Sequence, residues 1–209
     1  MAVRLGVCLM ALATMAGAAC SGSASQSRVG PGFSTLYTVT SIVMQKPGEP
    51  PRACAFMQLP DPPIGCGGPD LHALDLTTMH GVTRYRNGVL ATSMLHLVGT
   101  WDGRALTLTR PPDTAPIADA TSMPQGQCPS QPAQVASPPL MQRVISDEAL
   151  LKAQGIQLLE FGPCGDSLFI VVTVADRDSV RFLTNRYGAV QVAGWLKPVS
   201  SPSLAKSAA

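Results

Sequence analysis

VLATSMLHLVGTWDGRALTLT, residues Val89–Thr109, decides the fold. Its first limb is apolar and runs as one long strand to Trp101. Asp102-Gly103 then supplies residues that tolerate the positive φ of a tight turn. The return limb carries Leu106 and Leu108 on one face and Thr107 and Thr109 on the other, because side chains alternate along a strand. The stretch predicts a half-buried hairpin.

Upstream lie two further strand-like runs. STLYTVTSIVM (Ser34–Met44) is dense in β-branched and aromatic residues, which suit a pleated surface. RACAFMQL (Arg52–Leu59) is a second run, closed by Pro60 and Pro62-Pro63. Residues 33–112 are therefore expected to form a β-rich domain, a small antiparallel sheet or open barrel. Residues 113–139 are rich in Pro, Ala, Ser, Gln and Thr without apolar periodicity. They are expected to be a linker or long surface loop, tethered at Cys128.

Residues 140–200 change pattern. SDEALLKAQG (Ser146–Gly155) has Ser146 or Asp147 in capping position, acids first, Lys152 late and Gly155 as a stop, the signs of a short helix. SLFIVVTV (Ser167–Val174) is a continuous apolar run of strand length, expected to be central and buried. Asp176 offers an N-cap to RDSVRFLTNRY (Arg177–Tyr187), where Val180 and Leu183 are three apart and Tyr187 follows one turn later. Gly188 suits the position after a helix, and AVQVAGWL (Ala189–Leu196) is the next strand. Strand, helix and strand predict a right-handed crossover unit if the strands are parallel. The fold class is α+β: a β-rich domain, then a small α/β domain, stapled by disulfides. Residues 201–209 are expected to be a disordered tail.

Composition narrows the compartment and partners. The net charge is +2 with basic residues scattered, which gives no electrostatic case for nucleic acid. From Leu5 to Cys20 the chain is uncharged after Arg4. A basic start, an apolar run and small residues make a secretory signal over 1–19. The run is too short for a confident spanning helix. Gly17-Ala18-Ala19-Cys20 resembles the bacterial lipobox, in which small residues precede a cysteine that is diacylated and becomes the new N-terminus. Ala18 and Ala19 match that pattern; Gly17 stands where it prefers Leu. An ordinary cut after Ala18 is the competing outcome. SGSASQSRVGPG then makes residues 20–32 a flexible tether.

The cysteines are Cys8, Cys20, Cys54, Cys66, Cys128 and Cys164. Either cut removes Cys8. With lipid on Cys20, four remain, an even number suited to two disulfides in an oxidising compartment. Local pairing joins Cys54 to Cys66 and Cys128 to Cys164. The cysteines show no CxxC spacing, and the histidines lie far from the later cysteines, so neither a metal nor any other cofactor is expected.

Some motifs resemble catalytic ones. Gly165-Asp166-Ser167-Leu168 is similar to the signature of GDSL-type esterases, and Gly-Asp-Ser also surrounds the serine of trypsin-like proteases. A serine nucleophile needs a base and a group that orients it. His72, His80 and His96 all precede Ser167, the wrong order for the first family. The glycines expected after the serine in the second are Leu168 and Phe169. A turn leading into a buried strand explains the stretch better. Asp70, His72 and Asp75 are candidates for an acid–base pair or metal half-site. His96, inside an apolar strand, is expected on an exposed or hydrogen-bonded face. Asp176-Arg177-Asp178 is a candidate cation site, although capping explains Asp176 more simply. Gly65-Cys66-Gly67-Gly68 lacks the Lys-Ser/Thr of a phosphate loop. Trp101 and Trp195 are expected to pack between the two parts.

Taken together, CAFMQLPDPPIGCGGP (Cys54–Pro69), GTWDGRALTLT (Gly99–Thr109) and RYGAVQV (Arg186–Val192) resemble secreted or lipid-anchored proteins of high-GC actinobacteria. That resemblance implies a compartment and no mechanism. The expectation is a lipid-anchored, extracytoplasmic binding or accessory module. Its partners would be a membrane, reached through Cys20, and an unknown envelope protein or small ligand. The alternatives are a secreted soluble form, an envelope serine hydrolase using Ser167, and a carrier of small apolar ligands or lipids in the β-domain.

Overall fold

The computed structural model describes residues 35–58, 61–126 and 138–199. The signal, the lipobox with Cys20, the tether, Cys128 and the tail at 201–209 lie outside the described residues.

The first part contains β1 (Leu36–Gln45), β2 (Arg52–Ala53), β3 (Phe56–Gln58), β4 (Gly65–Gly67), β5 (Asp70–His72), β6 (Thr83–Arg84), β7 (Leu90–Trp101), β8 (Ala105–Leu108) and β9 (Asp113–Thr114). Helices α1 (Pro138–Ser146) and α2 (Glu148–Ala153) follow. They lead into β10 (Leu158–Cys164), β11 (Ser167–Val172), α3 (Arg177–Tyr187), β12 (Val190–Gly194) and β13 (Lys197–Pro198). The protein is mostly β with few helices, as the sequence pattern requires.

A closed barrel-like ring runs β1-β2-β5-β8-β7 and returns to β1. Its spine is β7. One edge of β7 pairs with β1 along its length; the other takes β8, β9 and β6 in succession. Asp102 makes the predicted turn, accepting at 2.8 Å from the amides of Arg104 and Ala105. The register shifts from Ile42 opposite Met94 to Met44 opposite Ala91, which places an extra residue in β7 at Thr92-Ser93, and a bulge increases local bend and twist, which helps a sheet close. All ring pairings are antiparallel except β5–β8. Val39, Val43, Leu71, Leu95, Leu97 and Leu106 are buried in one apolar cluster. The disulfide Cys54–Cys66 joins the end of β2 to β4, as the local pairing predicts.

The second sheet is β10-β11-β12. β11 lies in the middle, antiparallel to β10 and parallel to β12, with α3 as the crossover. The unbroken apolar run of β11 has a clear cause. Leu168, Ile170 and Val172 pack with Leu183 and Tyr187 of α3. Val171 and Phe169 join the cluster that fills the barrel. Both faces are covered, so both are apolar.

Several contacts tie the two sheets together. Trp195 is fully buried with the barrel cluster, and Trp101 packs on it. Gln157 donates to the carbonyl of Gly68 at 3.0 Å and accepts from the buried Thr173 hydroxyl at 2.9 Å. The described half of the Pro-rich segment is held against the barrel. Thr121 accepts from the Thr40 amide at 2.8 Å and donates back to its carbonyl at 2.8 Å. The indole of Trp195 donates to the Thr121 carbonyl at 3.0 Å.

One helix differs from expectation. The chain forms α1 before Asp147 and α2 after it, and the Asp147 side chain caps neither. Its carboxylate is drawn instead to Arg186 and Tyr187.

Candidate functional site

A surface groove of about 310 Å3 lies where the parallel strands β11 and β12 end. In open α/β sheets the carboxyl ends of parallel strands form the usual ligand crevice. Val174 and Leu196 are buried beneath it, at 7% and 2% exposure. Tyr37 lines it from β1 and Lys197 from β13. These two strands pair, with Tyr37 opposite Pro198 and Thr38 opposite Lys197. Asp176 reaches it from the start of α3.

Local chemistry explains each position. Asp176 has extended backbone and accepts from the Ser179 amide at 2.7 Å, so it caps α3 as predicted. A Cβ on Gly194 would lie 2.8 Å from the Ala175 nitrogen. Glycine there lets the end of β12 close on the exit of β11, which brings Lys197 beside Asp176's loop. The Lys197 ammonium donates to the Gly194 carbonyl at 2.8 Å. Burial, and then the charge of Asp176, raise the pKa of the Tyr37 phenol.

The sequence did not single out Tyr37 or Lys197. They come from opposite ends of the described chain and meet only through the β1–β13 pairing. The one usable signal was Asp176, placed at the junction of a buried strand and a helix.

The earlier candidates fall elsewhere. The Ser167 hydroxyl donates to the Cys164 carbonyl at 2.8 Å, closing the turn at Gly165-Asp166. His96 lies between the hydroxyls of Thr40, 3.1 Å from Nδ1, and Thr38, 3.3 Å from Nε2. It is the hydrogen-bonded strand histidine that the pattern predicts. His72 and His80 are exposed. Asp70 pairs with Arg52 at 2.9 Å. Asp75 accepts from the amide and hydroxyl of Thr77, which lowers its pKa. Among the described residues no three His, Cys, Asp or Glu side chains gather as metal ligands would. Cys164 is engaged in a disulfide; Cys128, its expected partner, lies outside the described residues.

The strongest electrostatic cluster is Asp147, Arg186 and Tyr187. Arg186 donates to both carboxylate oxygens at 2.7 and 2.8 Å, and the Tyr187 hydroxyl donates at 3.0 Å. The hydrogen bonds from Arg186 chiefly lower the Asp147 pKa. Burial, followed by the bond to Asp147, pushes Tyr187 up to about 12. The cluster joins the start of α2 to the end of α3, with Asp147 buried and the Arg186 side chain 35% exposed.

Among the described residues no helix is long and apolar enough to cross a membrane. Comparison of the chain with protein-family models, with curated proteins and with solved structures finds no match.

Proposed function

We propose that the protein is a lipid-anchored, extracytoplasmic binding or accessory module, tethered through Cys20 and working as a binder rather than as a catalyst. The observation that carries this reading is the Cys54–Cys66 disulfide. A bridge of this kind persists in an oxidising compartment. Cys164 is also in a disulfide, and local pairing expects Cys128 as its partner. With Cys8 in the signal, Cys20 is then left for the lipid. The barrel interior is filled by its own side chains, which favours a surface groove over a lumen as the place where a ligand binds.

Metabolic labelling with a fatty acid tests the anchor. The wild-type chain should take label and Cys20→Ala should not. Equal labelling of the two sinks the anchor. Thiol counting on the unreduced mature protein should find none; two free thiols would overturn the pairing.

A further inference from the structure

We propose that the groove lined by Tyr37, Val174, Asp176, Leu196 and Lys197 binds a small zwitterion with an apolar body, a free amino acid or a dipeptide. The inference rests on the binding-module reading and names its ligand class.

Three observations carry it. The floor is apolar, with Val174 and Leu196 buried, so it would accept an aliphatic side chain. The rim holds one carboxylate, Asp176, and one ammonium, Lys197, both on exposed residues. Among the described residues these two form no ion pair with each other. The cap uses only Oδ1 of Asp176, and no hydrogen bond among the described residues engages Oδ2. Lys197 spends one of its three protons on Gly194. Opposite charges on one groove, apart from each other and each with bonding capacity left, complement a ligand carrying both an amine and a carboxylate. At about 310 Å3 the groove sits at the small end of ligand sites, which run from roughly 300 to 1,000 Å3. That size suits an amino acid or dipeptide.

The test is a titration of the full mature chain, read from the amide NMR signals of Gly194 and Lys197. The probes are L-leucine, L-leucyl-L-alanine, leucinamide, N-acetyl-leucine and N-acetyl-leucinamide. Leucine and the dipeptide should shift both signals. Leucinamide and N-acetyl-leucine should each bind about tenfold more weakly, the loss of one charge-assisted hydrogen bond. Asp176→Asn, which retains a good capping residue, should weaken leucine about tenfold and leave N-acetyl-leucine unchanged. Lys197→Met should weaken leucine similarly and leave leucinamide unchanged. No shift with any probe at tens of millimolar overturns the proposal. So does N-acetyl-leucinamide binding as well as leucine, which would make the groove a merely apolar slot. Fatty-acid labelling is read separately, so failure here with intact Cys20-dependent labelling removes the ligand and leaves the anchor.

Discussion

Arg186 grips Asp147 across 39 residues of sequence with two hydrogen bonds, 2.7 and 2.8 Å long. Asp147 is only 8% exposed, and the Tyr187 hydroxyl also points at it. Asp147→Ala would leave that hydroxyl buried without its acceptor and Arg186 without its partner. The expected loss is about 2–3 kcal/mol, the scale of hydrogen bonds to a charged group. It would be measured by urea denaturation; a loss below half a kcal/mol would show that the cluster contributes little.

The same cluster sets a response to acid. The Asp147 pKa is lowered in the folded protein. Its stabilisation is therefore complete above the unfolded carboxyl value, near 4, and fades as pH falls through the lower folded value. Wild type should lose stability more steeply than Asp147→Asn as pH falls below about 4. Parallel curves would remove Asp147 as the cause. At the alkaline end Tyr187 is pushed up to about 12, so the folded chain keeps a proton that the unfolded chain releases near 10. Stability should fall as pH rises from 10 to 12, and Tyr187→Phe should flatten that fall.

Gly103 and Gly155 also meet directly. A Cβ on Gly103 would lie 3.2 Å from the Gly155 Cα, and both glycines have positive φ, 95° and 73°. Each is placed by a different local rule, one ending the β7–β8 turn and one ending α2. Gly155→Ala should cost about 1–2 kcal/mol from its left-handed backbone, with more from crowding. The double alanine variant should depart from additivity, because the two sites share one contact. Strict additivity in a double-mutant cycle would mean that the contact relaxes freely.

Cys54 and Cys66 close a 12-residue separation. Replacing both with serine should cost about 2–4 kcal/mol and lower the melting temperature. An unchanged melting temperature would show that the surrounding turn holds itself.

Local rules made much of this fold legible. Asp102-Gly103, the Asp176 cap, Gly188 and the run Ser167–Val174 each announce their element, because each answers to neighbours in sequence. The barrel closure was harder to see, since β1 and β7 pair across some fifty residues and β5 and β8 pair in parallel. The sequence pattern names no strand at Leu158–Cys164, where Gly162 and Pro163 interrupt β10. It is an edge strand, where a proline's missing N–H is tolerated. Val180 was grouped with Leu183 by spacing, yet it stays exposed while Leu183 and Tyr187 are buried. Asp147 carries a good capping residue type, but a guanidinium brought from α3 outcompetes the backbone amides for it. The groove was invisible for the same reason as the barrel closure: its two charged residues lie on α3's cap and on a terminal strand, and its phenol lies on β1.

The pairing of β13 with β1 ends with the Val199 amide donating to the Leu36 carbonyl at 2.8 Å. The described body is thus entered and left through one doorway. A short peptide joining 199 to 36 would turn the chain into a ring, which could be reopened at the exposed turn around Gly48 without parting any of the ring's paired strands. That doorway is also the rim of the groove.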